Sequence, residues 1–411
     1  MDPTNDRATI LRPDRLIDVE RGEVLRDVAV VVRDGRIESL VRPGDPVPAD
    51  AREVAMPGQT LLPGLIDCHA HLVGAIEFAG IPAIGTSPAQ EALAGVRNAR
   101  VTVLAGFTTV RDVGTYRAFV DVALRDAIES GDVLGPRMVV AGPFVTVSSG
   151  GGDITGQAHD VVLPADLRFG VANSADDVRR VVREILNGGA DFIKVIATGA
   201  VLARGTTPGA PEYTEKELRA AVEEAGNYGT YVAAHAHGAE GIKRAVRAGV
   251  RSIEHGSLMD DEAIAMMADA GTYLVADVYN GDYIAEAGRA QGWPAETLRK
   301  NDETTGAQRE GFAKAVAAGV RVAFGTDSGV YPHGDNAKQF AYMVKFGMTP
   351  MQAIQSATAV AAELLEQRER IGSIEPGKLA DLVAVEGDPL EDPDRLGSPS
   401  FVMKGGAILS S

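Results

Sequence analysis

Sulfhydryl groups and aromatic rings are scarce in this chain. Among 411 residues there is one cysteine, Cys68, and aromatic side chains make up 5%. One cysteine excludes an intramolecular disulfide framework and a cysteine-cluster metal site, and it points to a reducing compartment. Basic side chains are also few, 40 against 57 acidic, for a net charge of −17. That balance disfavours nucleic acid or an anionic membrane as partner, since phosphate contacts need Lys- and Arg-rich surface. No apolar run approaches the roughly 18–20 residues that span a bilayer. The opening Met1-Asp2-Pro3-Thr4-Asn5-Asp6-Arg7 has no signal-peptide core. The expectation is a soluble, cytoplasmic, acidic protein. Hydrophobic residues at 45% rule out disorder, and the length suits a large barrel or two to three ordinary domains.

One unit recurs along the chain: an amphipathic helix, a glycine, then a short apolar strand. The clearest copy begins at Ser174, an N-cap candidate followed by Asp176 and Asp177, where the helix dipole favours acid. Val178, Val181, Val182, Ile185 and Leu186 share one helical face, Asn187-Gly188-Gly189 stops the helix, and Phe192-Ile193-Lys194-Val195-Ile196 reads as a buried strand. Thr214 with Glu217 forms a capping box, and that helix leads through Gly229 to a strand ending at His235. Similar units end at His255, Asp277 and Asp327, through Gly249, Gly271 and Gly319. Residues 61–71, 107–113 and 137–142 read as three more strands, which makes eight β-then-α units. Eight such units predict an α/β protein built as a closed (β/α)8 TIM barrel, with an open doubly wound sheet as the alternative. The flanks differ. Residues 28–37 form a β-rich run broken at Asp34-Gly35, and residues 380–385 and 401–406 are again strand-like. The expected organisation is a small β-sandwich domain from residues 1–62 and 371–411 beside a catalytic barrel at 63–370.

Of seven histidines, four fall at the C-terminal ends of predicted strands, where barrel enzymes place their active sites: His69, His71, His235 and His255. His69 and His71 are two apart, so both face the same way and can form half of a metal site. Asp327, in Gly325-Thr326-Asp327-Ser328-Gly329, ends the eighth strand and could both ligate metal and move a proton. Lys194 lies inside an apolar strand, where a bare ammonium is costly and burial favours the neutral amine. A Schiff-base lysine, a buried ion pair and a modified lysine all fit it. His237 shares the face of His235 and reads as a substrate contact or oxyanion stabiliser; the alternative makes it the ligand in place of His235. Cys68 alternates away and reads as packing. His159 and His333 fall in loops, with His333 a candidate for the mouth of the site.

The run Pro63-Gly64-Leu65-Ile66-Asp67-Cys68-His69-Ala70-His71-Leu72 resembles the opening signature of the amidohydrolase superfamily, and Gly377-Lys378-Leu379-Ala380-Asp381-Leu382-Val383 extends the likeness to the C-terminus. Within it the chain is most similar to the imidazolonepropionase-like branch, with its metal-dependent Xaa-Pro dipeptidases and carboxypeptidase-like amidases. The resemblance implies two divalent metal ions, zinc first among zinc, manganese and cobalt. His69, His71 and Asp327 would hold one, His235 and His255 the other, with a carboxylated Lys194 bridging both and a hydroxide between them. It also implies a small-molecule substrate and a homo-oligomer.

Deaminases of the superfamily carry a Glu three residues after the fifth-strand His; here that position is Gly238, and the fourth strand has Lys194. Both features favour a binuclear hydrolase of C–N amide bonds over the alternative, a mononuclear deaminase or cyclic-imide hydrolase. The expected chemistry is hydroxide attack on a metal-polarised carbonyl, with His237 at the oxyanion and Asp327 carrying the proton to the leaving amine. The expected substrate is an N-acyl or N-aminoacyl amino acid, with an aromatic amide or mycotoxin conjugate also in range. Relatives often have Gly-Gly-His after strand 3, whereas this chain has Ser148-Ser149-Gly150-Gly151-Gly152-Asp153. Backbone amides of that run, the hydroxyls of Ser148 and Ser149, or Arg204 are therefore the candidates for holding a substrate carboxylate.

Overall fold

The computed structural model describes residues 7–74, 82–158 and 160–411, so His159 lies outside the described residues. Two sets of strands organise the α/β fold. The first comes from both ends of the chain. It runs Ala407–Ser410, Pro399–Lys404, Leu382–Glu386, Arg52–Pro63, Thr9–Asp18, Ala29–Arg33 and Arg36–Val41, with Glu23–Leu25 joined to Thr9–Asp18. Thr9–Asp18 and Arg52–Pro63 pair in parallel and the other pairs are antiparallel. Asp34 and Gly35 both take left-handed φ, 51° and 74°, in the two-residue hairpin that Asp-Gly chemistry favours. Where two facing sheets were expected, the hydrogen bonds follow one path. Its alternating residues divide between two apolar clusters, Leu11, Val30, Leu382 and Phe401 in one and Ile10, Ala29 and Val31 in the other.

The second set is parallel. Leu65–Ala70, Phe107–Asp112 and Arg137–Val140 form one sheet, and Ile193–Ile196, Val232–Gly238, Ser252–Leu258 and Tyr273–Val275 form another. Backbone bonds link them at both sides. Val145 N–H donates to Lys194 O and Ile196 N–H to Val145 O, each at 2.9 Å. Leu274 N–H donates to Arg321 O at 2.9 Å, and Cys68 N–H donates to Phe324 O at 2.8 Å. Residues 320–327 were expected to be an eighth regular strand, but they bond only at such single points. The cause is local: Asp327 adopts φ 57°, and the N–H groups of Thr326 and Asp327 both turn to His69 O, at 3.2 and 2.7 Å.

The helices around the parallel strands obey their end signals. Ser174 Oγ accepts from Asp177 N–H ahead of Ala175–Asn187, and Thr214 and Glu217 close a reciprocal capping box ahead of Glu215–Asn227. Gly249 and Gly271 end Ala239–Ala248 and Asp261–Ala270 with φ of 96° and 68°. Val178, Val181, Val182 and Ile185 are buried, each contributing roughly 1.5–3 kcal/mol as an upper bound. One helix departs from expectation. Ala295–Ala317 extends far upstream of its buried apolar residues, and the first residues it buries are Thr297, Lys300, Asn301 and Thr304, a polar stripe invisible to hydrophobic periodicity. Among the described residues no helix is long and apolar enough to cross a membrane.

Candidate functional site

At the C-terminal ends of the parallel strands lies a cleft of about 820 Å3, counting its open mouth, lined by His69, His71, Lys194, His235, His237, His255 and Asp327. All seven are at least nine-tenths buried. Their placement follows from strand alternation at His69/His71 and His235/His237. Two others depend on backbone strain. His255 and Asp327 have φ of 69° and 57°, a left-handed conformation costly for residues with a Cβ, and it takes their side chains out of strand alternation. Nε2 of His69 and His71 lie 3.5 and 3.4 Å from Asp327 Oδ1. His69, His255 and Asp327 offer ligand atoms all within 4.8 Å of one another. The His235 ring sits 4.6 Å from both His237 and His255, centroid to centroid.

Four of the five imidazoles are oriented from behind. His69 Nδ1 meets Glu254 Oε2 at 2.8 Å, His71 Nδ1 meets Gly114 O at 2.7 Å, His255 Nδ1 meets Asp277 Oδ1 at 2.9 Å and His237 Nδ1 meets Ser257 Oγ at 2.8 Å. The first three partners are acceptors, so Nδ1 donates and Nε2 is left as a lone-pair donor, the arrangement of a metal-ligating histidine. Glu254 is itself held by Arg111, whose Nη2 donates at 2.8 Å while its Nε donates to Cys68 O at 2.6 Å. Both side chains are wholly buried. Burial alone would raise the Glu254 carboxyl, but Arg111, then Lys194 and His69, hold it well below the usual range. Asn280 Nδ2 bridges Asp277 Oδ2 at 3.0 Å and Asp327 Oδ2 at 3.1 Å.

The electrostatics favour a bound cation. Burial, then the neighbouring His237 and His255, press the His235 imidazole towards its neutral form. Burial also lowers the Lys194 ammonium to about 8, so the free amine is within reach near neutral pH. His235 Nε2 is buried without a hydrogen-bond partner. An imidazole nitrogen left unsatisfied in such a cluster is costly in the protein alone, and a divalent cation would satisfy it. The residues present therefore fit such an ion.

Not every candidate reaches the cleft. Ser149 and Arg204 are exposed and are not among the lining residues. The glycine-run amides are not free to bind a carboxylate. Gly150 N–H donates to Val147 O, Gly152 N–H to Thr146 Oγ1, and Gly151 N–H to both oxygens of Glu212, at 3.0 and 2.9 Å. Ser148 Oγ accepts from Asn173 at 2.9 Å. These groups are consumed in folding the loop. His333 lines a separate cavity with Arg97 and Tyr331. Cys68 is fully buried, packed among Ile66, Tyr273 and Val275.

The sequence pattern of the amidohydrolase family matches residues 60–409. The chain belongs to the amidohydrolase family. It is 31% identical to ochratoxinase of Aspergillus niger over 408 residues, 94% of this chain and 84% of that protein. A solved Xaa-Pro dipeptidase with methionine bound in its active site superposes with a TM-score of 0.92 at 38% identity, covering 98% of this chain and all of that one. Imidazolonepropionase of Streptococcus sanguinis is 24% identical over 409 residues, 92% of this chain and 88% of that protein. The resemblance drawn from the sequence motifs thus holds at the level of the family, whose members act on small molecules.

For an amidohydrolase, the unforeseen part of this site lies behind the histidines: Arg111, Glu254, Asp277, Asn280 and Gln308, which donates to Asp277 Oδ1 at 2.8 Å. A signal for two of them was present. Arg111 and Glu254 are charges inside segments read as strands, as Lys194 is.

Proposed function

We propose that this amidohydrolase cleaves the C–N amide bond of a small N-acyl or N-aminoacyl amino acid, dependent on two divalent metal ions. The observation that carries the reading is the buried cluster of His69, His71, His235, His255 and Asp327 around Lys194, with the Nδ1 atoms of His69, His71 and His255 tied to acceptors. In this reading His69, His71 and Asp327 would hold one ion and His235 and His255 the other, with a carboxylated Lys194 as a ligand they would share. Bound there, such ions polarise a carbonyl and acidify water. The chain's residues do the rest. Asp327, whose Oδ2 is held by Asn280 Nδ2, takes a proton and delivers it to the departing amine nitrogen. His237, fixed through Ser257, supports the oxygen of the attacked carbonyl. Ile196, Leu202 and Val330 keep bulk water from the reacting atoms. The linked parallel strands support a closed (β/α)8 barrel at 63–370, with a small β-domain from 1–62 and 371–411 beside it.

The test is hydrolysis of a panel of N-acetyl amino acids and dipeptides by the purified chain, before and after chelation. Turnover that chelator abolishes and zinc, manganese or cobalt restores supports the reading. Turnover indifferent to chelation overturns it.

A further inference from the structure

The cleft's walls are sorted by polarity in a way the metal cluster does not require. Leu202 follows the strand Ile193–Ile196, Ile284 lies on the helix Asn280–Gln291, and Val330 follows Asp327. All three line the cleft, and they pack together in one apolar cluster backed by Trp293. A second apolar surface comes from Phe144 and Tyr116, edge to face at 5.3 Å.

Basic side chains are nearly absent from these walls. Among the described residues Lys194 is the only lysine or arginine lining the cleft. Residues 1–6, 75–81 and 159 contain neither. The buried Lys300 is already engaged, donating to Ala203 O at 2.7 Å and paired with Glu296 at 2.7 Å. Arg168 pairs with Asp153 at 3.2 Å. On the polar wall Asn301 Nδ2 donates to Gly281 O at 2.9 Å and Thr304 Oγ1 donates to Lys300 O at 2.9 Å, while Asn280 Oδ1 is left without a partner. A charged side chain pressed against Leu202, Ile284 and Val330 would shed its water and gain no partner there, whereas an apolar one gains contact.

We propose that this site selects a large uncharged side chain, aliphatic or aromatic, on the amino-acid part of its amide substrate, with Leu202, Ile284 and Val330 as the specificity-determining residues. The inference rests on the hydrolase reading above and adds the substrate class. Full burial of a leucine-, methionine- or phenylalanine-sized group corresponds to roughly 10- to 150-fold in kcat/KM over a group that leaves the pocket empty. Charged side chains fall below even the glycine derivative.

The experiment uses the zinc-loaded full chain with N-acetyl derivatives of glycine, leucine, methionine, phenylalanine, aspartate and lysine. Calorimetric binding of the corresponding free amino acids is measured alongside. Expected is an apolar preference of at least about tenfold in both readouts. Ile284→Asn and Leu202→Asn should each shrink the methionine-to-glycine ratio, while Ile284→Val shrinks it less. Equal turnover of the glycine, aspartate and methionine derivatives overturns the inference, as does a variant that lowers all substrates alike. Absence of turnover together with an apolar preference in binding overturns the hydrolase reading and leaves the pocket's selectivity standing. Absence of any preference in binding overturns the selectivity itself.

Discussion

Replacing Arg111 by methionine removes a cation from beneath the site while keeping much of its length. The guanidinium is wholly buried, donates to Glu254 at 2.8 Å, to Cys68 O at 2.6 Å and to Ser252 Oγ at 3.1 Å, and lies 5.4 Å from the Phe192 ring centre. Its loss strands the Glu254 carboxylate, also wholly buried, without its principal counter-charge. Breaking a buried pair from one side costs about 3–5 kcal/mol, because the remaining charge cannot recover its hydration. Over 411 residues, at about 2.1 cal/mol/K of unfolding entropy per residue, that is a fall in Tm of roughly 4–6 °C. A second consequence reaches the site. Glu254 can relieve its isolation by taking a proton, and a protonated carboxyl donates to His69 Nδ1 instead of accepting from it. The His69 proton then moves to Nε2, the nitrogen directed at Asp327. Arg111→Met should therefore lose bound metal as well as stability. The double variant Arg111→Met with Glu254→Gln should recover part of the stability, since no buried charge is left alone. Scanning calorimetry and elemental analysis of the two single variants and the double variant read both effects. A Tm within about 1 °C of the parent for Arg111→Met, or strictly additive single effects, would refute the reasoning.

Asn280→Ala removes the one amide that bridges Asp277 and Asp327, and should lower activity or metal affinity about 10- to 100-fold with little change in fold, read by kinetics and metal titration. Glu212 is pushed up by burial to about 7, only partly offset by the Gly151 N–H. Its protonated form contributes stability that is fully present below the usual value of 4.5 and lost as pH rises through about 7. Glu212→Gln should flatten the fall in Tm between about pH 5 and 8; an unchanged slope would contradict the assignment. Ser174→Ala deletes the acceptor for Asp177 N–H and should cost about 1 kcal/mol in denaturant titration without touching activity.

Much of the fold was legible because its signals are local. Ser174, Thr214, Gly249 and Gly271 announce helix ends through bonds and dihedrals spanning only a few residues. The His69/His71 and His235/His237 pairs were equally readable, since strand alternation alone gives each pair a common face. What escaped depends on distant partners or on strain. The amides of the glycine run read as free anion donors, yet Glu212, some sixty residues away in the chain, occupies Gly151. The left-handed backbone at His255 and Asp327 leaves no mark in the residue types. The start of Ala295–Ala317 was hidden because that helix turns polar side chains inward, where periodicity looks for apolar ones.

The central claim is that Lys194 joins two metal ions in one hydrolytic site. Its most direct measurement is metal per chain by elemental analysis, on protein purified without chelator, for the parent and for Lys194→Ala. The account predicts close to two ions per chain in the parent, and a loss of metal and amide hydrolysis together in the variant. One ion per chain, retained in full without Lys194, would contradict it.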